Sequence, residues 1–291
     1  MDRIEKTDTT DLYLSLIKKC LTDTLHIEKG FDDKRRVYRN NSYSLKQFIM
    51  NGILRVLESR RMHVYYIRNE NLSKERMLAK RNTGKDWPKF AETMIGLSRL
   101  DNIQHCAETV LHENIPGDFI ETGVWRGGAT IFMRAILMAY GIKNRTVWVA
   151  DSFEGLPSPD SQYPADTGDI HHLYKEVLAI SLEQVQENFR RYDLLDGQVH
   201  FLKGWFKDTL SNAPIEHLAI LRLDGDMYSS TMEALQALYD KLSPGGFLII
   251  DDYGLEGCKK AIHDFRKERN INEEIIIVDQ TGAFWRKKTL P

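Results

Sequence analysis

The chain has 291 residues, 42% hydrophobic and 28% charged, with a formal net charge of −2. That balance suits a soluble globular protein of one large domain, or one domain with an extension, and gives no support to a nucleic-acid binder. No apolar run approaches the roughly 18 residues of a membrane span, and the charged start MDRIEKTDTTDLYLSL lacks a signal-peptide core. Cys20, Cys106 and Cys258 are odd in number and far apart, which argues against a disulfide framework or a zinc cluster and fits a reducing cytoplasm.

Residues 1–86 are expected to form a helical extension. TTDLYLSLIKKCL places Leu12, Leu16 and Cys20 at helical spacing, and YSLKQFIMNGILRVLESR does the same with Leu45, Phe48, Ile49, Ile53 and Leu57. Between and after them DDKRRVYRNN, a solvated basic face, and MLAKRNTGKDW punctuate the chain. The extension reads either as cover for the main domain or as a lid or oligomerisation arm, the latter giving a dimer or higher homo-oligomer.

From Trp87 the pattern changes. DWPKFAETMIGLSRLDNIQHCAETVLHENI reads as one or two amphipathic helices, closed by a turn at Pro116-Gly117. Strand-like runs then follow in GDFIETG, TVWVADS, VHFLKGW, LAILRLD and GFLIIDD, with a late pair in EEIIIVD and AFWRK. Helical runs lie between them: ATIFMRAILMAYG, SLEQVQENFRRYDLL and STMEALQALYDKLSPGG. This alternation predicts a mostly parallel sheet with helices on both faces, whose ligand site lies beyond the carboxyl ends of the strands. Asp224 and Asp226 in LDGDMYSST, and Asp251 and Asp252 in LIIDDYG, end two adjacent strands. All four carboxylates are expected in one cleft.

The stretch DFIETGVWRGGATIF runs from strand through a glycine turn into a helix. Gly123 permits the turn, Gly127 and Gly128 let a ligand approach the backbone, and the helix start offers free N–H groups. It is neither the dinucleotide fingerprint nor a P-loop, and a purely structural turn is the alternative. Asp151, at the tip of the next strand, is placed to accept hydrogen bonds from the two hydroxyls of a ribose. Its separation from Gly123 exceeds the roughly 20 residues of the dinucleotide fingerprint. Glu121 would repel a pyrophosphate and suits a ligand with a positive centre, which S-adenosylmethionine has in its sulfonium and amino groups.

The segments GDFIETGVWRGGATIFMRA, VWVADSFEGLP, GWFKDTL, LRLDGDMYSSTMEAL and GGFLIIDDYG closely resemble the macrocin O-methyltransferase (TylF-like) family. Its members are class I S-adenosylmethionine-dependent sugar O-methyltransferases of antibiotic pathways. The resemblance runs from about Trp87 to Trp285 and implies a Rossmann-like methyltransferase domain with a late antiparallel strand, acting on a small-molecule glycoside. It implies that Glu121, Thr122, Gly123, Val124 and Trp125 line the methionine end of the cofactor. Asp151, Ser152, Phe153, Glu154 and Gly155 would hold the ribose and the adenine edge, with Gly204 and Trp205 closing over adenine. Thr93 and Met94 would touch the cofactor from the preceding helix, and Ser181, a helix N-cap in ISLEQV, would reach it too.

Aspartates with no Cys or His at ligand spacing favour magnesium over zinc. The resemblance implies that Asp224, Asp251 and Asp252 bind the metal and Asp226 is the general base. A sugar hydroxyl has a pKa far above 7, so a divalent cation and a neighbouring carboxylate together suit its activation. Bland alternatives are a helix N-cap for Asp226 and solvated strand-end acids for Asp251 and Asp252. His171 and His172 in DIHHLYKEV read as a solvated loop pair or as part of a substrate lid. A nicotinamide-dependent oxidoreductase is the competing enzyme class, disfavoured by the glycine spacing and by the want of a Tyr-x-x-x-Lys pair.

Overall fold

The computed structural model describes residues 8–25, 74–85 and 90–288. The expected helix YSLKQFIMNGILRVLESR, the stretch DDKRRVYRNN and the change of pattern at Trp87 lie outside the described residues. In chain order the elements are α1 (Asp8–Leu21), α2 (Lys74–Asn82), α3 (Leu97–His112), β1 (Asp118–Thr122), α4 (Gly128–Ala139) and β2 (Val147–Asp151). Then come α5 (Lys175–Leu178), α6 (Leu182–Arg191), β3 (Val199–Lys203), α7 (Phe206–Thr209), β4 (Leu218–Leu223) and α8 (Tyr228–Leu238). The chain closes with β5 (Leu242–Ile250), α9 (Glu256–Glu268), β6 (Ile276–Ile277) and β7 (Ala283–Arg286).

The strands form one seven-stranded sheet in the order β3-β2-β1-β4-β5-β7-β6. β1 to β5 pair in parallel, and β7 runs antiparallel to both β5 and β6. β4 sits between β1 and β5, and all six of its residues are buried, which is why LAILRL reads as a continuous apolar run broken only by Arg222. Alternate side chains go to opposite faces. Phe119 and Ile220 join the core under α1, α3, α4 and α6, while Ile120, Leu221 and Leu223 join the core under α8 and α9. α4 is buried from Gly128 through Leu137 because α1 and α3 pack over it. Leu14, Ile17 and Leu21 of α1 belong to the same apolar cluster as Phe132 and Ile136. Among the described residues no helix is long and apolar enough to cross a membrane.

Three expectations need correction. Of the one or two helices expected over 86–115, the described residues show one, beginning at Leu97; residues 90–96 are irregular. Their backbone groups bond elsewhere: Glu92 N donates to Leu21 O at 3.0 Å, and Gly128 N donates to Glu92 O at 3.0 Å. Gly96 caps α3, and a Cβ there would stand 2.2 Å from the Asn82 carbonyl oxygen, so the segment is threaded too tightly to coil. The late run EEIIIVD gives only the two-residue β6, with Ile276 and Ile277 exposed at the sheet edge. β5 starts at Leu242, inside the expected helix end. A register shift between Leu218 and Ile220 on β4 absorbs Ser243–Gly246, and Gly245 takes φ 85°.

Candidate active site

At the carboxyl edge of the sheet the β1–α4 turn passes the end of β4. Gly123 has φ 88°, and a Cβ there would fall 1.8 Å from the Asp224 carbonyl oxygen. No other residue fits. Non-glycine residues with positive φ mostly sit at helix ends as Asp or Asn. Trp125 (φ 48°), Phe153 (φ 56°) and Asp226 (φ 60°) instead lie in the turns after β1, β2 and β4, and backbone held this way concentrates at functional sites.

Asp151 ties two of these turns together. Its Oδ2 accepts from Val124 N at 2.8 Å and its Oδ1 from Phe153 N at 2.7 Å. Burial pushes its carboxyl pKa up and these N–H groups pull it back. Ser152 Oγ lies 3.4 Å from the same Oδ1, so the carboxylate is held by both turns it joins. Ser152 Oγ closes the turn, donating to Gly155 O at 2.8 Å and accepting from Glu154 N at 3.0 Å. Trp125 Nε1 donates to Val177 O at 2.9 Å, and a Cβ on Gly155 would touch Ala179 at 3.5 Å. The segment leading to α6 thus crosses both turns. Ser181 is the N-cap of α6, accepting from Gln184 N at 3.2 Å. Gly204, at φ 139°, donates its N–H to Asp151 O at 2.9 Å, and Trp205 caps α7 beside it. Thr93 is buried against the α4 start: a Cβ on Gly128 would lie 2.6 Å from Thr93 Cβ. Thr93 and Met94 therefore lie on the irregular 90–96 ribbon and not on a helix.

The acidic cluster forms as the spacing predicts. One carboxylate oxygen from each of Asp224, Asp251 and Asp252 lies within 4.8 Å of the other two. Asp224 N donates to Thr122 O, and Asp251 N to Leu223 O, each at 2.9 Å; Asp226 N donates to Asp252 Oδ2 at 3.0 Å. The helix-cap alternative for Asp226 does not hold. The first N–H groups of α8, on Tyr228 and Ser229, go to Asp166 Oδ1 and Oδ2 at 2.7 and 2.9 Å. Nor are Asp251 and Asp252 solvated, being 6% and 8% exposed.

Sequence reasoning missed the cations beneath the acids. Arg222, fully buried on β4, stands directly opposite Glu121 on β1. Its Nη1 donates to Glu121 Oε1 and, at 2.6 Å, to Asp224 Oδ2, while Nη2 donates to Asp251 Oδ1. Arg99 of α3 bonds Asp251 Oδ2 and, at 2.9 Å, Asp279 Oδ2. One signal was available: a lone arginine in a central strand demands acidic partners.

Two guanidinium groups do not balance the acids around them. Burial, with help from Asp251, raises the Asp224 carboxyl to about 7, against the pull of Arg222. Its side chain is 27% exposed, so solvent screens part of this. Burial lifts Glu121 to about 8, Arg222 again opposing. Asp252 is pushed well above the usual carboxylate range, by burial first and then by Asp226 and Asp224. Asp226 is raised by burial, with His171 opposing. His171 is held by Asp169, whose Oδ1 accepts from its N and whose Oδ2 pairs with its Nδ1, both at 2.8 Å. Both histidines are partly buried, and His172 Nδ1 is buried without a partner.

The donor set fits the two expected groups. Oxygens within 4.8 Å of one another could close with a small shift on an ion that holds all-oxygen ligands at about 2.1 Å, hence about 4.2 Å across. Glu121 Oε2 is buried and lacks a hydrogen-bond partner, which suits a cationic ligand end over the β1 turn.

Comparison with known proteins bears on this geometry. A family model described as Macrocin-O-methyltransferase (TylF) matches residues 10–287. The 8-demethyl-8-(2,3-dimethoxy-alpha-L-rhamnosyl)-tetracenomycin-C 4'-O-methyltransferase of Streptomyces olivaceus is 47% identical over 280 residues, 96% of this chain and 94% of that protein. Mycinamicin III 3''-O-methyltransferase of Micromonospora griseorubida is 53% identical over 210 residues, 71% of this chain and 83% of that protein. Among solved structures the O-methyltransferase NovP superposes with a TM-score of 0.79 at 42% identity, over 96% of this chain and 100% of its own. These likenesses remove the oxidoreductase alternative. The chain belongs to the macrocin-O-methyltransferase (TylF) family and is an S-adenosylmethionine-dependent O-methyltransferase.

Proposed function

We propose that the protein methylates a hydroxyl of a sugar carried by a natural product, as a tailoring step of antibiotic biosynthesis, and that it needs magnesium to do so. The observation that carries this reading is the convergence of Asp224, Asp251 and Asp252 within 4.8 Å, with Asp226 bonded to Asp252 beside them. The relatives named above support the sugar, since one name carries a rhamnosyl group and both give a primed position for the methyl group.

Asp224, Asp251 and Asp252 would hold the metal, and the turns after β1, β2 and β3 the cofactor. When bound, S-adenosylmethionine supplies an electrophilic methyl group and magnesium supplies positive charge that favours ionisation of a hydroxyl. The chain's own residues do the rest. Asp226 takes the hydroxyl proton on its carboxylate; its raised pKa makes it a stronger base than a solvated aspartate. Glu121 Oε2 accepts from the cationic end of the cofactor. Asp151 fixes the two turns that orient it, through Val124 and Phe153. Arg222 keeps Glu121, Asp224 and Asp251 in place.

Incubation with S-adenosylmethionine, magnesium and a panel of rhamnosyl glycosides tests this by mass spectrometry. A sugar fragment one methylene heavier is expected, and its loss on chelation. Methylation of the aglycone alone, or a rate indifferent to chelation, would overturn it.

A further inference from the structure

Between β2 and α6 the chain makes a long excursion, and one buried side chain in it serves no role so far assigned. Asp166 is 3% exposed. Both its oxygens are spent on the first turn of α8, with Tyr228 N at 2.7 Å and Ser229 N at 2.9 Å. No side chain of α8's own N-cap does this work: the cap is Met227. Asp226, in its left-handed conformation, lies two residues before Tyr228. On the other side, Asp169 N donates to Asp166 O at 2.9 Å, and Asp169 grips His171 at both its N and its Nδ1. The fit is close around the carboxylate, since a Cβ on Gly257 of α9 would lie 3.1 Å from Tyr228 N and 3.6 Å from Asp166 Oδ1.

We infer that Asp166 is a positioning residue for methyl transfer: one carboxylate, delivered from the loop after β2, sets the turn that carries Asp226 and the overhang that carries His171 in a single register. The inference rests on the proposed sugar methylation, in which Asp226 takes the proton. A local cap would stabilise α8 alone; a cap borrowed from 62 residues away in sequence also fixes the distance between two walls of the site. Ile170 and Leu173, 47% and 56% exposed, ride on the same overhang, so its placement also presents an apolar edge next to His171.

The test compares Asp166→Ala and Asp166→Asn with Phe265→Leu, which thins the α9 core without touching the loop. Misplacement of a base by about 1 Å can cost about a hundredfold. Asp166→Ala is expected to lower kcat by about tenfold to a hundredfold, with the Kd of S-adenosylhomocysteine within about twofold of wild type. Asp166→Asn, which keeps one acceptor oxygen, should fall between. Phe265→Leu should lower Tm with kcat nearly unchanged. Hydrogen exchange gives a readout independent of turnover: amide exchange in 166–174 and 226–230 should rise together, by about tenfold, in Asp166→Ala only. Wild type without sugar methylation would defeat the parent reading. Wild type active, with Asp166→Ala matching Phe265→Leu in kcat, or exchange rising in only one of the two segments, would defeat this one.

Discussion

In the proposed mechanism, Asp226 is the residue on which turnover depends most sharply. General bases contribute about 10²- to 10⁴-fold, so Asp226→Asn should lower kcat by at least about a hundredfold while leaving S-adenosylhomocysteine affinity within about twofold by calorimetry. An equal loss of affinity would mean that Asp226 belongs to the cofactor pocket. Arg222 carries the structural side. It is fully buried among Glu121, Asp224 and Asp251, and removing one member of such a group leaves charge without a partner, at a cost of about 3–5 kcal/mol. Arg222→Met should lower the unfolding free energy measured in urea by that amount, and a smaller loss would show that water reaches the acids. The four strand-end aspartates were legible because parallel strands deliver their tips to one edge. Arg222 was missed although it is the one charge in LAILRL; Arg99 and Asp166 arrive from distant segments, and nothing local marks them.

At the scale of elements, the turns decide the site. Gly123→Ala drives a Cβ into the Asp224 carbonyl and forces φ 88° on a side chain that resists it. The β1–α4 turn must then shift away from β4, and loss of S-adenosylhomocysteine binding by more than about tenfold is expected in calorimetry; unchanged affinity would separate the turn from the cofactor. Most elements followed from their periodicity: apolar runs for β1, β2, β4 and β5, and helical runs for α3, α4, α6 and α8; α9 was not foreseen. Where periodicity misled, a tertiary bond or an edge position prevailed. Residues 90–96 look helical in composition, yet Glu92 is drawn to Leu21 and Gly128. EEIIIVD looks like a core strand, yet only Ile276–Ile277 pairs, on the outside of β7.

For the whole molecule, the proposed metal site would make stability depend on pH and metal together. Folded Asp224 and Glu121 titrate near 7 and 8, above their ordinary values of 3.8 and 4.5. A raised folded pKa favours the protonated form in the native state, so this contribution is complete below about pH 4 and lost as pH rises through 7 to 8. The metal-free protein should lose Tm over that window, and magnesium should restore it most at the alkaline end, where its ligands are ionised. A magnesium effect equal at pH 5 and pH 8 would contradict the cluster's part in binding it. The most direct measurement is anomalous diffraction from crystals soaked in manganese. A single peak is expected between the carboxylates of Asp224, Asp251 and Asp252, absent in Asp251→Ala. A wild-type crystal with no peak there, or with manganese only elsewhere, would contradict the account.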